Sequence, residues 1–274
     1  MAGTVADLKL LQGKIKRDPE GYRDEFLLQI RHYRTLLEIF RLKPTKDSKE
    51  FSDLIDFLSH VATCFPEDTS SYAQELIELL DKHYSLLDST LRRKVVEALI
   101  LLRNRGRLSS VELLPVFFRL FRCNDKRLRQ MLFKHIVSDL HNSNKKHRNE
   151  KLNRTLQNFL FEQLTKEEHV TAAKKSLAVL TEMYRRNVWT DARPVNVIAT
   201  ACFHPDTSIL IAALKFFLGQ DDAAGEEDSD DDDDDDDDEG GPHNMNVNPL
   251  TKDDMYKAYR KVAFFRSPRP ELFA

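Results

Sequence analysis

An all-α array of stacked helix pairs is the fold this sequence predicts, and three observations carry the prediction. Between Tyr22 and Leu218 there is a single glycine, Gly106, and no alternation of apolar and polar residues strong enough for a strand. Six prolines punctuate the first 220 residues, at positions 19, 44, 66, 115, 194 and 205. They read as breaks between helices of about 13 to 20 residues, because proline lacks the helical N–H donor. Between the breaks, apolar residues return in steps of three and four.

Taken in order, Phe26, Ile30, Tyr33, Leu37 and Phe40 form one face of a helix ending near Pro44. Phe51, Leu54, Ile55, Leu58 and Ala62 repeat the pattern up to Pro66, and Leu76, Ile77, Leu80 and Tyr84 give the next helix. Leu91, Val95, Ala98 and Leu102 follow, then Leu128, Leu132, Ile136 and Leu140. Leu152, Leu156, Phe159 and Leu160 mark another helix, and Ala173, Leu177, Leu180 and Tyr184 one more. The Phe117, Phe118, Phe121 group in LLPVFFRLF has core spacing.

A repeat underlies these helices. DSTLRRKVVEALILL (88–102) aligns with DKRLRQMLFKHIVSDL (125–140) as Asp-x-x-Leu-Arg, and the segments from 168 and 204 read as degenerate copies. Starts spaced by about 37 to 43 residues, with two helices per unit, are the period of HEAT and armadillo arrays. Each helix pair leaves a face that its neighbour must cover. Asp88 and Asp125 are expected N-caps, and Arg92 and Arg129, four residues on, are assigned to the scaffold.

After Gly219 the periodicity stops. Between Gly225 and Gly240 thirteen of fourteen residues are acidic. Such a composition cannot bury enough apolar area to offset its ordering entropy. The expected organisation is a helical-repeat domain at 1–220, a disordered acidic linker at 221–250, and a short basic tail at 251–274. One helix is expected over TKDDMYKAYRKVAFF.

The formal net charge of −3 hides an asymmetry. Residues 1–220 carry 36 Lys and Arg against 27 Asp and Glu, whereas residues 221–239 carry fifteen acids and no base. A basic folded body suits an anionic partner, nucleic acid being the commonest, although a solvated helical surface has the same composition. Cys64, Cys123 and Cys202 lie far apart and never as CxxC, which argues against a disulfide framework or zinc site and for a reducing compartment. The N-terminus lacks a signal-peptide core, and the most apolar run, Ser208 to Leu218, is too short for a membrane span and contains Lys215. A soluble intracellular protein is expected.

No phosphate-cradling loop, GxSxG, HExxH or kinase-like set occurs, and the nine histidines are scattered. His141 and His147 flank NSNKK without a Cys or carboxylate to complete a zinc set. No catalytic, cofactor or metal residue is assigned, and no enzyme is expected. Basic clusters are the stronger candidates: Arg103, Arg105 and Arg107 in RNRGR; Lys145, Lys146 and Arg148 in NSNKKHRNEK; Arg185 and Arg186 before Trp189. If the repeats stack, equivalent turns line up and their cations form an edge that could track phosphates. The first and third clusters also suit helix C-termini on dipole grounds alone. Trp189 is a candidate interaction aromatic, with packing beneath a loop as the plainer reading. Ser229, followed by aspartates, suits an acidophilic kinase.

Three longer stretches carry a family resemblance: IKRDPEGYRDEFLLQIRHYRTLLEIFRLKP (15–44), LFRCNDKRLRQMLFKHIVSDLHNSNKKHRNEKLNRTLQNFL (120–160) and MYRRNVWTDARPVNVIATACFHP (183–205). The chain resembles the severe-depolymerization-of-actin (SDA) family over roughly residues 8 to 220, with the acidic run after FFLG. The resemblance implies a nucleolar, non-enzymatic helical scaffold that binds pre-60S ribosomal particles and serves large-subunit assembly and nuclear export. It also implies a link to the actin cytoskeleton. Family members continue far beyond residue 274, and the last 25 residues fit the family poorly, so a shortened product is expected. The expected partner is ribosomal RNA or an assembly protein of the pre-60S particle, with no membrane and no small-molecule substrate, the chain being monomeric within a larger complex. The alternative is a HEAT or armadillo transport adaptor, whose peptide grip would show as Asn or Trp recurring on inner helices.

Overall fold

The structure, a computed structural model, describes residues 5–43, 49–166, 169–219 and 252–266. Among them there are twelve α-helices, a single 3-10 turn and no strand. They fall into two compact units, residues 1–135 and 136–274.

The first unit contains α1 (Val5–Arg17), the 3-10 turn Glu20–Tyr22, α2 (Arg23–Leu42), α3 (Lys49–Val61), α4 (Tyr72–His83), α5 (Ser89–Asn104) and α6 (Ser110–Leu120). It ends within α7 (Lys126–Lys145). Successive helices alternate between two layers: α3 packs on α1 and α5, while α4 packs on α6 and against α5. Ion pairs Arg34–Glu75 at 3.9 Å and Arg41–Glu78 at 3.6 Å join α2 to α4. The expected apolar faces are the buried ones. All five α2 positions, Phe26, Ile30, Tyr33, Leu37 and Phe40, are buried, and the Phe26 and Phe65 rings stack at 4.0 Å.

The repeat motif has a direct structural meaning. The Asp88 carboxylate accepts from the Thr90 N–H at 2.9 Å, and Asp125 from Leu128 N–H at 2.9 Å, so both cap helix starts. The following arginines turn back to the preceding loop. Arg92 donates to the Tyr84 and Leu87 carbonyls at 2.8 and 2.7 Å, and the buried Arg129 donates to the Cys123 carbonyl at 2.9 Å. Carbonyls that no helix satisfies are thereby paired, which is the scaffold role expected of these two residues.

Pro115 departs from expectation. It is the sixth residue of α6, not a break between helices. An interior proline costs about 3 kcal/mol. That is outweighed by burying Leu113, Leu114, Val116, Phe117 and Phe118, at about 1.5–3 kcal/mol each. A Ser109–Glu112 capping box holds the first turn.

The second unit contains the end of α7, then α8 (Glu150–Lys166), α9 (Val170–Arg185), α10 (Ala192–Ala201), α11 (Thr207–Leu218) and α12 (Lys252–Arg266). Here too the layers alternate, α8 and α10 in one and α9 and α11 in the other. Asp206 caps α11 through the Ser208 N–H at 2.9 Å. Gly219 ends α11 at φ 71°, a left-handed conformation that glycine adopts without strain.

The tail helix is present as expected, but it is not detached from the array. α12 packs on α11 and α10, burying Ala258 and Val262. Tyr259 donates to the Cys202 carbonyl at 3.5 Å, and Lys261 to the Phe217 carbonyl at 3.0 Å. Helix packing therefore continues past Gly219, and the segment between α11 and α12 joins two elements in contact. The acidic run and Ser229 lie outside the described residues.

Candidate functional site

The second unit brings two of the predicted basic clusters to one edge. α7, α9 and α11 end there and α8 and α10 begin there, as two contacts show. Arg148 in the α7–α8 turn pairs with Asp191, the N-cap of α10, at 2.8 Å. The Tyr184 and Phe216 rings, near the ends of α9 and α11, meet edge-to-face at 5.3 Å. At the opposite end of α8 and α10, Phe161, Leu164 and Val170 face Val197, Thr200 and Phe203 across a common groove of about 660 Å³.

Three asparagines, none of them singled out from the sequence, build the α7–α8 turn. The Asn144 and Asn153 amides exchange hydrogen bonds at 3.0 and 2.8 Å, and Asn144 also accepts from the Asn149 N–H at 3.0 Å. The Asn149 side chain in turn caps α8 through the Leu152 N–H at 3.1 Å. This network fixes the loop and leaves Lys145, Lys146 and Arg148 exposed. The ordering entropy of the loop backbone that carries them is partly met before any ligand arrives.

Charge is concentrated at this edge. Residues 136–220 contain twelve Lys and Arg and eight Asp and Glu. Eight of those bases but only three of the acids lie within 145–154 and 182–193, the stretches that form the two turns. Each acid is engaged: Asp191 with Arg148, Glu150 with Arg154 at 3.6 Å, and Glu182 with both Arg186 at 2.6 Å and Arg185 at 3.6 Å. Lys145, Lys146, Lys151 and Arg193 carry no ion pair among the described residues. Lys151 and Arg193 were absent from the sequence prediction; Arg193 joins the edge only because α10 begins beside the α7–α8 turn.

The RNRGR cluster belongs to the first unit and is engaged in holding it together. Arg105 donates to the Ser59 and His60 carbonyls at 3.2 and 2.7 Å, Arg107 to the Pro66 carbonyl at 2.7 Å, and Arg103 to the Ser110 hydroxyl at 3.0 Å. Trp189 corrects its candidacy as an interaction aromatic: it has 0% exposure. A ring with no accessible face cannot stack on a base or anchor a partner, and packing beneath the α9–α10 turn is what the structure shows.

The ring exposed at this edge is the His147 imidazole, and the exposed Phe and Tyr side chains among the described residues of this unit sit elsewhere. Phe161 and Phe203 line the groove at the far ends of α8 and α10, and Tyr256 lies on α12. No group of three His, Cys, Asp or Glu residues arranged to hold a metal occurs among the described residues. No described helix is long and apolar enough to cross a membrane. Burial pushes the Cys202 thiol up to about 12, and burial also raises Cys123, outweighing the arginines beside it.

A family model described as "SDA1, HEAT repeat" matches residues 57–267. This chain belongs to the SDA1 family. The match runs through α12, so the last described helix is part of the family pattern, where the sequence led us to expect a poor fit. "Protein SDA1 homolog" of Nematostella vectensis is 52% identical over 222 residues, covering 79% of this chain and 32% of that protein. The Xenopus tropicalis protein of the same name is 49% identical over 216 residues, covering 79% and 31%. "Protein SDA1" of Chaetomium thermophilum is 38% identical over 262 residues, covering 94% of this chain and 34% of the relative. The chain thus spans about a third of the length of these curated relatives.

Proposed function

We propose that this SDA1-family chain is a non-enzymatic scaffold in large ribosomal subunit assembly and export. It binds nuclear pre-60S particles through the basic edge of its second unit. The observation that carries the reading is the segregation of cations onto the α7–α8 and α9–α10 turns of a HEAT-type helical array. Family membership supports the setting, with the nucleus and nucleolus as its compartments. A stacked array offers extended surface, and a fixed row of cations at successive turns gives it a place to hold an anionic assembly.

The alternative, an adaptor gripping extended peptide through Asn or Trp recurring on inner helices, lacks the Trp half of that signature. The single Trp is buried.

Gradient sedimentation of the tagged chain from cell extract, with associated RNA identified, tests the proposal. Co-migration with large-subunit precursors is expected. Recovery only in light fractions free of those precursors would overturn it.

A further inference from the structure

We infer that the basic edge of the second unit recognises the sugar–phosphate backbone of double-helical RNA, not splayed single-stranded bases. This rests on the function proposed above and names the ligand class of the same edge.

Two kinds of RNA surface call for different protein surfaces. Single strands are held by cations interleaved with aromatic platforms, each stacked base being worth about 1–3 kcal/mol. Duplex RNA hides its base edges in a deep, narrow major groove and is read through phosphates, 2′-hydroxyls and shape. A row of cations on a fixed backbone, without exposed Phe, Tyr or Trp platforms, suits the second surface better than the first.

The edge has that character. Its cations stand on two turns brought side by side, with Arg148 of one paired to Asp191 of the other at 2.8 Å. One of those turns is also braced by the Asn144–Asn149–Asn153 network. Its larger rings are withdrawn: Trp189 is fully buried, and Tyr184 is half-buried against Phe216, which leaves the small imidazole of His147 as the exposed ring beside these cations. The unit's exposed Phe161 and Phe203 lie toward the other ends of α8 and α10. At 1.5 Å per residue, the 17 residues of α8 span about 25 Å. A strand tracking the cations would not meet those rings. Lys145, Lys146, Lys151 and Arg193 are the donors not engaged in ion pairs among the described residues, and they set the number of phosphates the edge can neutralise.

The test compares the 274-residue chain with its Lys145→Ala/Lys146→Ala/Arg193→Ala variant. Binding is measured against salt for an RNA hairpin stem and an unpaired strand of equal nucleotide count. All three side chains are exposed, so the variant should melt where the parent does. The wild type should prefer the stem at least about tenfold, a difference of about 1.4 kcal/mol. In the variant, the slope of log affinity against log salt should become shallower by roughly two to three. Equal or tighter binding of the single strand would overturn the inference. So would an unchanged salt slope.

Sedimentation separates this inference from the function on which it rests. If the variant loses pre-60S association without any change in RNA affinity, the edge meets a protein and the RNA inference falls, while the assembly function stands. If the wild type itself never co-migrates with precursors, the function falls first.

Discussion

Replacing Arg105 with alanine should destabilise the first unit while leaving RNA binding untouched. Its guanidinium donates to the carbonyls of Ser59 and His60, in the last turn of α3, where no further helical N–H is available. A positive charge at that end also complements the helix dipole. Hydrogen bonds from a charged group contribute about 1.5–3 kcal/mol each. Here one nitrogen serves both carbonyls and the side chain is half-buried, so the low end applies, roughly 2–3 kcal/mol for the pair. For a chain of this size the midpoint of thermal unfolding should fall by roughly 4 to 12 °C. Circular dichroism melting measures the first effect and RNA affinity against salt the second. Arg105→Lys keeps the charge but not the forked reach, and should recover only part of the loss. An unchanged melt combined with a shallower salt slope would refute the reasoning and move RNRGR from scaffold to phosphate contact.

Three further outcomes follow from the same structure. The ionised carboxylates of Asp88, Glu112 and Asp206 accept capping hydrogen bonds, chiefly from the Thr90, Ser109 and Ser208 hydroxyls, and all three are held below their ordinary range. Their stabilisation is therefore full above the ordinary carboxylate range, about 4, and is lost as pH falls through the lowered values. Urea midpoints at neutral and low pH should show this loss, and Asp88→Asn/Glu112→Gln/Asp206→Asn should flatten the profile; an equally steep profile in the variant would refute the assignment. In native protein, iodoacetamide should label half-buried Cys64 before buried Cys123 and Cys202, as peptide mass spectrometry would reveal, and equal rates would contradict the burial. Deleting residues 226–239 should strengthen non-specific RNA binding at low salt by removing a tethered anionic competitor; no change would leave the run as a spacer. The 18 remaining connecting residues could still reach roughly 60 Å, enough to keep α12 docked.

What could be read from the sequence was local. The face Phe26–Ile30–Tyr33–Leu37–Phe40 lies within one helix and is legible as periodicity. The scaffold role of Arg92 and Arg129 follows from a cap and a return within eight residues. What escaped was set by contacts distant in the chain. Arg105 finds its carbonyls 45 and 46 residues away, and Arg148 finds Asp191 43 residues away. Arg193 therefore had no visible reason to join the cluster. Pro115 was misread because its local penalty is plain in the sequence while the burial that outweighs it is not. The edge was half legible: its lysines were picked out, but the asparagines that hold them carry no periodic signal. Trp189 read more plainly as packed beneath its turn than as a partner contact, and it is buried there.

The docking of α12 has a consequence for how this protein can vary. The 32 residues between Gly219 and Lys252 close a loop whose two ends are fixed by packing on one another. By polymer statistics each doubling of such a connection costs only about 0.6 kcal/mol in closure entropy. Length and acid content can thus drift among relatives with little effect on the array, whereas a change at Ala258 or Val262 acts directly on the last helix contact. A protease cut anywhere in the insert would turn that contact from an intramolecular event into a bimolecular one. Whether α12 stays bound after such a cut would then depend on protein concentration.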